Sequence, residues 1–290
     1  MIGPVLITGA GGQLGRALQA SAPPGATLVP LGHGDLDIGD AAAVRTLVAV
    51  HKPTLIINAA AYTAVDKAES ETAEAYRINA EGPGHLAAAA RAIEARFIHV
   101  STDFVFNGAS GVPYLPVQPT EPLGVYGASK RAGEEAVLAE DPDALIVRTA
   151  WVYGVTGHNF VRTMLRLMAE RDEVRVVADQ IGTPTFAGGL AGALWALDAA
   201  GARGVHHWTD SGAASWYDFA VAIQEDALAI GLLTRAVPVI PIATSDYPTP
   251  ACRPSYSVLD KRSAIALIGA PAPHWRVHLR DMLGVIKANG

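Results

Sequence analysis

A phenol and an amine stand four residues apart in the segment Tyr126-Gly-Ala-Ser-Lys130. If this segment is helical, the two side chains lie on one face, one turn from each other. The ammonium group of Lys130 can then lower the pKa of the Tyr126 phenol and make it a usable acid. The pair indicates redox chemistry on a carbonyl or an alcohol, with Tyr126 and Lys130 as candidate catalytic residues.

Two hydroxyl groups and a carboxyl group precede this pair at Ser101, Thr102 and Asp103. They follow a predicted strand at residues 97–100, and α/β sheets bind their ligands at the carboxyl ends of strands. A lone Tyr-x-x-x-Lys pair often arises by chance, and Thr102 or Asp103 alone could be a cap or a solvated loop residue. Their occurrence together favours functional roles for Thr102 and Asp103.

Glycines at positions 9, 12 and 15 follow an apolar strand, residues 4–8, and open a helical segment, residues 13–20. In that context glycines let the backbone approach a pyrophosphate, and the helix N-terminus supplies N–H groups and a positive dipole end. Such glycines could also form only a tight turn. The strand before them and the helix after them favour a dinucleotide site at Gly9, Gly12 and Gly15.

The choice between NADH and NADPH depends on the residues at the end of the second predicted strand. An acid there accepts from the adenosine ribose 2′-OH and repels a 2′-phosphate. Residues 31–34 read Leu-Gly-His-Gly, with neither an acid nor an arginine. The sequence therefore selects neither cofactor, and we predict that both are used.

Short apolar strands alternate with helical segments over the first half of the chain, which predicts an α/β protein with a Rossmann-type doubly wound parallel sheet. We assign residues 1–150 to this dinucleotide-binding domain. Residues 151–290 form mainly a smaller α/β substrate-binding lobe. The boundary is expected to be interleaved, because segments near 172–200 and 204–210 carry strand-like runs that can return to the first sheet.

Composition excludes several classes of partner. The formal charge of −6, with 22 basic residues and no basic run, argues against nucleic acid. No apolar run approaches the roughly 20 residues that span a bilayer, and the N-terminal run is expected to be a strand rather than a signal peptide. A single cysteine, Cys252, excludes an internal disulfide framework and suits a reducing compartment. We expect a cytoplasmic protein.

Two pairs of histidines do not predict a metal site. His274 and His278 are four apart in a probable helix, but the sequence offers no recognisable third ligand. His206 and His207 are adjacent in an expected strand, so their side chains point to opposite faces. We assign no metal to either pair.

With these residues in hand, the chain resembles the extended short-chain dehydrogenase/reductases, and within them the dTDP-4-dehydrorhamnose reductase family. The resemblance covers nearly the whole length, and Gln13-Leu14 is its most discriminating detail, because epimerases and dehydratases usually carry an aromatic residue and Ile there. The matching stretches are residues 7–15, 58–69, 101–108, 125–130, 148–154, 159–161, 180–185 and 253–254.

The resemblance implies an NADPH- or NADH-dependent reduction of a dTDP-linked 4-keto-6-deoxy sugar. Tyr126 would donate the proton, Lys130 would hold the nicotinamide ribose, and Asn79 would support the proton relay. The implied cofactor-binding residues are Gly9, Gly12, Gln13, Leu14, Gly15, Asp37, Ile38, Ala59, Ala60, Ala61, Tyr62, Thr63, Val100, Tyr126 and Lys130. The implied substrate-binding residues are Thr102, Asp103, Phe104, Tyr126, Trp151 and Arg253.

Three positions depart from the family pattern. Phe104 stands where many relatives have Tyr, so a contact through that hydroxyl is absent. Ala17 stands where magnesium-bridged dimers carry a glutamate, which makes magnesium-linked dimerisation doubtful and leaves monomer and homodimer both open. Tyr256 replaces a common Asn near the nucleotide-facing end of the site.

Three alternatives stay open at this point. An epimerase or dehydratase would keep its nicotinamide bound and recycle it, and a talose-forming reductase would differ only in how the sugar is presented. A non-catalytic relative, such as the methionine adenosyltransferase regulatory subunit, would share the fold as a binding module. The intact set Thr102, Tyr126 and Lys130 weighs against the last, since pure binding does not require it.

Overall fold

The structure of the chain is a computed structural model that describes residues 3–289. Its strands are β1 (Val5–Thr8), β2 (Leu28–Leu31), β3 (Leu55–Asn58), β4 (Arg96–Thr102), β5 (Leu145–Thr149), β6 (Val152–Tyr153), β7 (Val174–Val177), β8 (Ile181–Gly182), β9 (Thr185–Phe186), β10 (Gly204–His207), β11 (Ala214–Ser215) and β12 (Val239–Ile242). Its α-helices are α1 (Gln13–Ala20), α2 (Ala41–His51), α3 (Val65–Ala68), α4 (Thr72–Tyr76), α5 (Gly82–Ala92), α6 (Val125–Glu140), α7 (Phe160–Glu170), α8 (Ala187–Ala199), α9 (Trp216–Ala229), α10 (Arg262–Ile268) and α11 (Trp275–Asn289). A π-helical turn, Arg77–Glu81, joins α4 to α5, and short 3₁₀ helices span Asp103–Val105 and Thr244–Asp246.

Six strands form a parallel sheet in the order β10, β5, β4, β3, β1, β2. β1, β3 and β5 are buried along their whole length. Helices cover both faces of such a sheet, which is why its central strands are near-continuous apolar runs. The predicted Rossmann-type parallel sheet is confirmed.

Successive residues of β1 face opposite sides of the sheet. Val5 and Ile7 belong to a core cluster with residues of α1 and α8, whereas Leu6 belongs to a cluster with residues of α2, α5 and α6. β1 lies between β3 and β2, and the chain moves outward from β1 in opposite directions on its two sides. At such a switch point a crevice opens outside the carboxyl ends of the strands. The glycine loop after β1 and the hydroxyls after β4 both lie at this edge.

Helices α7, α9 and α11 build a second core around Phe219 and Trp275, whose rings meet edge to face at 5.6 Å. Three two-stranded sheets accompany these helices, pairing β11 with β8, β12 with β7, and β6 with β9. All of these elements lie within residues 151–290, and we call them the second lobe. No helix within residues 3–289 combines the length and the apolar character needed to cross a membrane.

The two segments expected to return to the first sheet behave differently. β10 pairs with β5 at the sheet edge, and α8 packs on α1 in the first core. The expectation for β7 was wrong, because β7 pairs in parallel with β12, where Val174 lies opposite Val239. Pro241 of β12 is tolerated there, since a two-stranded sheet consists only of edge strands.

Candidate functional site

A cavity of about 1010 Å³ lies at the carboxyl edge of the six-stranded sheet and reaches the second lobe. It brings together every residue that the sequence analysis assigned to cofactor or substrate binding. These are Gly9, Gly12, Gln13, Leu14, Gly15, Asp37, Ile38, Ala59, Ala60, Ala61, Tyr62, Thr63, Val100, Thr102, Asp103, Phe104, Tyr126, Lys130, Trp151 and Arg253. Asn79 is the one candidate residue outside this lining.

The glycine loop forms a cradle for a phosphate group. Gly9 has a φ of +67°, and a Cβ there would lie 2.6 Å from the Ala59 carbonyl oxygen. A Cβ at Gly11, by contrast, would meet nothing within 4 Å, so the loop faces open space. Gly12 precedes α1 without a side-chain cap, which leaves N–H groups of the first turn for an anion. The loop therefore fits the pyrophosphate of a dinucleotide.

Gln13 links this cradle to the second lobe. Its Oε1 accepts a hydrogen bond of 2.9 Å from Asn159 Nδ2, while Asn159 Oδ1 caps α7 by accepting from the Arg162 backbone N–H. A glutamine at this position thus ties the cofactor loop to the lobe that completes the cavity. An aromatic residue without an acceptor oxygen, such as phenylalanine, could not accept this bond, which gives the discriminating Gln13-Leu14 detail a structural reason.

Near Asp37, which the family resemblance assigns to the adenine, one arginine and two carboxylates form a charge cluster that the sequence did not reveal. Arg77 donates to Asp37 at 2.8 Å and also to both oxygens of Glu74. Burial acts to raise the pKa of Asp37, but Arg77 and the Gly39 N–H outweigh it and hold that pKa below its usual value. Because two carboxylates already neutralise Arg77, it offers no free positive charge for a 2′-phosphate.

Helix α6 carries Tyr126 and Lys130, and a distant carboxylate holds its first turn. Gly124 precedes the helix without a side-chain cap. Glu69 Oε1 accepts from the Val125 backbone N–H at 2.9 Å, although the two residues are 56 positions apart. A carboxylate at a helix N-terminus binds an otherwise unsatisfied N–H and interacts favourably with the helix dipole.

Glu69→Ala is expected to lower the free energy of unfolding by about 1 kcal/mol, since it removes this cap. It should also lower kcat, because Tyr126 lies in the turn that loses its anchor. Asp40→Ala is the matched control: Asp40 caps α2 through the Ala42 and Ala43 N–H groups and does not line the cavity. Thermal melts and steady-state kinetics of both variants compare the effects, and an equal loss of kcat in both would contradict the anchoring role.

The phenol of Tyr126 lies among Thr102, Asp103 and Phe104. The Phe104 ring meets the Tyr126 ring edge to face at 5.5 Å. Burial raises the pKa of Tyr126 to about 12; the nearby Thr102 hydroxyl opposes this rise and Asp103 adds to it. The expectation that Lys130 lowers this pKa does not hold in this structure. A phenol with a raised pKa stays protonated at neutral pH, which suits a proton donor.

Asp103 is a buried carboxyl group, 1% exposed, at the floor of the same region. Its Oδ1 accepts from the Thr102 hydroxyl at 3.0 Å. Burial raises the pKa of Asp103 to about 6, against the lowering effect of hydrogen bonds from Ser257 and Thr102. The Thr102 hydroxyl also accepts from the Phe104 N–H, so its position next to Tyr126 is fixed.

Lys130 is buried below Tyr126 and points to strand β4. Its Nζ donates to the Val100 carbonyl oxygen at 2.7 Å and lies 3.4 Å from His99 Nε2. Burial lowers the pKa of Lys130 to about 8, and Glu134 one turn further along opposes this. His99, which no sequence pattern singled out, is thus a direct neighbour of the candidate catalytic lysine.

Asn79 lies in the π-helical turn and is 1% exposed. Its amide accepts from the Tyr62 N–H at 2.8 Å and donates to the Tyr62 carbonyl at 3.0 Å. It also donates to Ser129 Oγ on α6 at 3.1 Å. Asn79 therefore holds the Tyr62 loop against the helix of Tyr126 and Lys130, from behind the cavity wall rather than within it.

Trp151 stacks on Trp216, with ring centroids 3.5 Å apart and planes 7° apart. Trp151 has a φ of +48°, which is strained for a bulky residue. Gly182 packs closely against the indole, since a Cβ there would lie 2.6 Å from it. Trp216 opens α9 and lines the cavity, so the cavity has an aromatic wall of two rings, of which only Trp151 was predicted from the sequence.

Arg253 lies where the two lobes meet. Its guanidinium donates to both carboxylate oxygens of Asp66, at 3.1 and 2.7 Å, and also to Thr249 Oγ1. The Arg253 hydrogen bond lowers the pKa of Asp66. Arg253 lines the cavity, and its main partner in this structure is Asp66 of α3.

A second cavity of about 910 Å³ adjoins the first, and the two share Trp216 and Arg253 in their walls. The second cavity lies between α7, β7 and the 3₁₀ helix Thr244–Asp246. Its lining includes three further arginines, Arg166, Arg171 and Arg175, together with Tyr247. No local sequence pattern indicates this cavity, because its walls come from segments far apart in the chain.

The histidines considered as metal ligands have other partners. His278 Nδ1 lies 3.0 Å from Asp210 Oδ2, and His206 Nδ1 lies 3.0 Å from Ser263 Oγ. Burial lowers the pKa of His207 to about 3. Within residues 3–289, no three His, Cys, Asp or Glu side chains are grouped so that they could hold a metal ion.

A family model described as RmlD substrate binding domain matches residues 3–287. A dTDP-4-dehydrorhamnose reductase from Streptomyces griseus is 47% identical over 283 residues, which cover 95% of this chain and 91% of the relative. The chain belongs to the dTDP-4-dehydrorhamnose reductase family. Another dTDP-4-dehydrorhamnose reductase, from Mycobacterium tuberculosis, is 47% identical over 287 residues, or 96% of this chain and 92% of the relative. The family resemblance predicted from the sequence is confirmed.

Solved structures of dTDP-4-dehydrorhamnose reductases superpose closely on this chain. One from Clostridium acetobutylicum has a TM-score of 0.93 at 40% identity and covers 98% of this chain and 99% of that one. One from Bacillus anthracis, a complex with NADP, has a TM-score of 0.92 at 37% identity and covers 100% of both chains. A UDP-glucose 4-epimerase from Thermus thermophilus shares the fold, with a TM-score of 0.84 at 19% identity.

Proposed function

We propose that the chain reduces the C4 keto group of dTDP-4-dehydro-β-L-rhamnose with NADPH or NADH and so forms dTDP-L-rhamnose. One observation carries the proposal: a single cavity has the glycine cradle at one end and Thr102, Tyr126 and Lys130 at the other. Its relatives include dTDP-4-dehydrorhamnose reductases from Streptomyces griseus and Mycobacterium tuberculosis, and the Bacillus anthracis structure holds NADP.

The chain's own residues supply the proton and the orientation. A bound nicotinamide supplies the hydride, and its pyrophosphate would be held by the loop of Gly9, Gly12 and Gly15. Tyr126 then gives its phenolic proton to the alkoxide that develops at C4, which is a stronger base than a phenolate. The Thr102 hydroxyl hydrogen-bonds the same oxygen and fixes its direction. Lys130 would hold the nicotinamide ribose. Asn79 would support the proton relay.

The second cavity is suited to the nucleotide part of the substrate. Arg171 and Arg175 in its wall offer positive charge for a diphosphate, whereas Arg166 is paired with Glu170. Tyr247 offers an aromatic face for a base. Trp216 and Arg253 lie between this cavity and the first, where the sugar would meet Trp151. The keto sugar would thus face Tyr126 while the dTDP group lies in the second lobe.

Net consumption of cofactor tests this function against its competitors. A reductase oxidises one NADPH for each sugar converted, so the nicotinamide absorbance falls in step with substrate. An epimerase or dehydratase that recycles its cofactor gives product without that fall, and a non-catalytic relative gives neither. Either of the last two results with dTDP-4-dehydro-β-L-rhamnose would contradict the proposal.

Both cofactors are expected to support turnover, with kcat/KM values within about tenfold of each other. The physical reason is that residues 31–34 lack a discriminating acid or arginine and that Arg77 is neutralised by Asp37 and Glu74. Initial rates with NADH and NADPH over a range of concentrations measure this ratio. A preference beyond about a hundredfold for either cofactor would be inconsistent with the prediction.

Assembly and location follow as further parts of this proposal. Ala17 packs against the first core from α1 and offers no carboxylate to a metal. We therefore expect a cytoplasmic monomer or a homodimer that forms without a magnesium bridge. Size-exclusion chromatography with magnesium and with a chelator should give the same elution volume.

A further inference from the structure

A chain of buried polar side chains runs from the glycine loop to the candidate catalytic lysine. Thr8 Oγ1 donates to Asn58 Oδ1 at 2.6 Å, and Asn58 Nδ2 lies 3.0 Å from His99 Nδ1. His99 Nε2 in turn lies 3.4 Å from Lys130 Nζ. Thr8, Asn58, His99 and Lys130 are each no more than 2% exposed, so salt and solvent screen these contacts little.

The backbone fixes the orientation of the Asn58 amide. The Ala60 N–H donates to Asn58 Oδ1 at 3.1 Å, and a backbone N–H can only donate. Asn58 therefore turns its NH₂ group to His99, whose Nδ1 must accept. A neutral imidazole that accepts at Nδ1 carries its proton on Nε2, so the Nε2–H of His99 points at Lys130.

This donor meets a group that accepts a hydrogen bond in only one protonation state. An ammonium group has three N–H donors and no lone pair, whereas a neutral amine has a lone pair that can accept. Burial keeps His99 neutral by lowering its pKa well below the usual value, with the charge of Lys130 adding to that effect. The bond from Lys130 to the Val100 carbonyl is available to both states, so His99 is the partner that distinguishes them.

Other charges near Lys130 are held by partners. Glu134 on the same helix is paired with Arg148, Tyr126 one turn earlier is a protonated phenol, and Asp103 faces Tyr126. Three further charged groups on helices packed against α6 have partners: Asp66 pairs with Arg253, Glu74 with Arg77, and Arg91 with the Glu140 carbonyl. His85 of α5 lies against the Ile38 carbonyl. Lys67 and Glu81 are exposed to solvent.

We propose that His99 is a positioning residue for Lys130. The Nε2–H of His99 disfavours the ammonium form of Lys130 and so sets the pH above which the reductase loses activity. The kinetic part of this inference rests on the proposed reductase function. Asn58 determines which ring nitrogen of His99 carries the proton. Asn58 therefore controls this effect without touching Lys130 itself.

Asn58→Asp is the sharpest variant, because a carboxylate accepts from Nδ1–H and so moves the imidazole proton away from Lys130. It also adds a negative charge, which favours a proton on the His99–Lys130 pair whichever member holds it. The apparent pKa of the alkaline limb in the pH profile of kcat should rise by about one unit in Asn58→Asp. His99→Phe removes the donor without adding charge, so the same apparent pKa should rise by less. An unchanged apparent pKa in both variants, or a lower one in either, would overturn the proposal.

The wild-type protein provides a test that needs neither a folded variant nor any activity. ¹⁵N NMR of the histidine rings, at neutral pH and without cofactor, should show His99 protonated at Nε2 and not at Nδ1. Protonation at Nδ1, or at both nitrogens, would overturn the proposal. If His99 has the expected tautomer but the keto sugar is not reduced, the proposed function fails and the positioning of Lys130 stands.

Discussion

Tyr126→Phe should lower kcat about a thousandfold while leaving the affinity for NADPH nearly unchanged. In the proposed reaction the phenol is the proton donor, and burial raises its pKa to about 12, so it is protonated at neutral pH. Removal of the hydroxyl takes away the proton donor that the proposed reaction assigns to the alkoxide. The ring itself, and its edge contact with Phe104, remain in place.

Tyr114→Phe is the matched control for this loss. Tyr114 is buried, its hydroxyl hydrogen-bonds Asn107 and the Ser110 N–H, and it does not line the cavity. We expect this variant to lose some stability and to keep its kcat. Steady-state kinetics and NADPH titration of both variants separate the two effects, and near-wild-type turnover of Tyr126→Phe would refute the proposed mechanism.

Glu134→Gln should destabilise the fold by about 3 kcal/mol, the largest stability effect we expect from a single change on α6. Arg148 donates to both oxygens of Glu134, at 2.8 and 2.7 Å, and both side chains are about 5% exposed. The neutral amide leaves the guanidinium buried without a counter-charge. Phe106, His207 and the Pro116 carbonyl surround it and supply no negative charge.

Glu135→Gln, one residue further along, is the matched control, because it makes the same substitution in a solvent-exposed ion pair. Glu135 pairs with Arg131 on the exposed face of α6, and such a pair contributes less than about 1 kcal/mol. Urea unfolding of the two variants gives the comparison directly. Equal and small losses would mean that burial of the Glu134–Arg148 pair has no energetic consequence, contrary to our account.

The sequence predicted those parts of the site that depend on local patterns. A strand followed by glycines and a helix located the phosphate cradle, and the four-residue spacing placed Tyr126 and Lys130 on one helix. Thr102 and Asp103 follow a parallel strand, so they reach the same edge as Gly9. Because the carboxyl ends of parallel strands share an edge, local patterns sufficed to gather these residues in one cavity.

Other features depend on contacts between distant segments, which local patterns do not encode. Glu69 reaches the first turn of α6 across 56 residues, and Trp216 stacks on Trp151 from another lobe element. The raised pKa of Tyr126 is a result of burial, whereas helical spacing alone had indicated a lowered value. β7 joins β12 because both lie in the second lobe, a choice that its apolar residues alone do not specify.

Transfer of deuterium from the cofactor to the sugar shows whether the protein delivers a hydride to C4. NADPH carrying deuterium at both C4 positions of the nicotinamide is incubated with the protein and dTDP-4-dehydro-β-L-rhamnose, and the sugar is then examined by NMR. We expect dTDP-L-rhamnose with one deuterium at C4 of the sugar. A sugar without deuterium, deuterium at another carbon, or the talose configuration at C4 would mean that the proposed reaction is wrong.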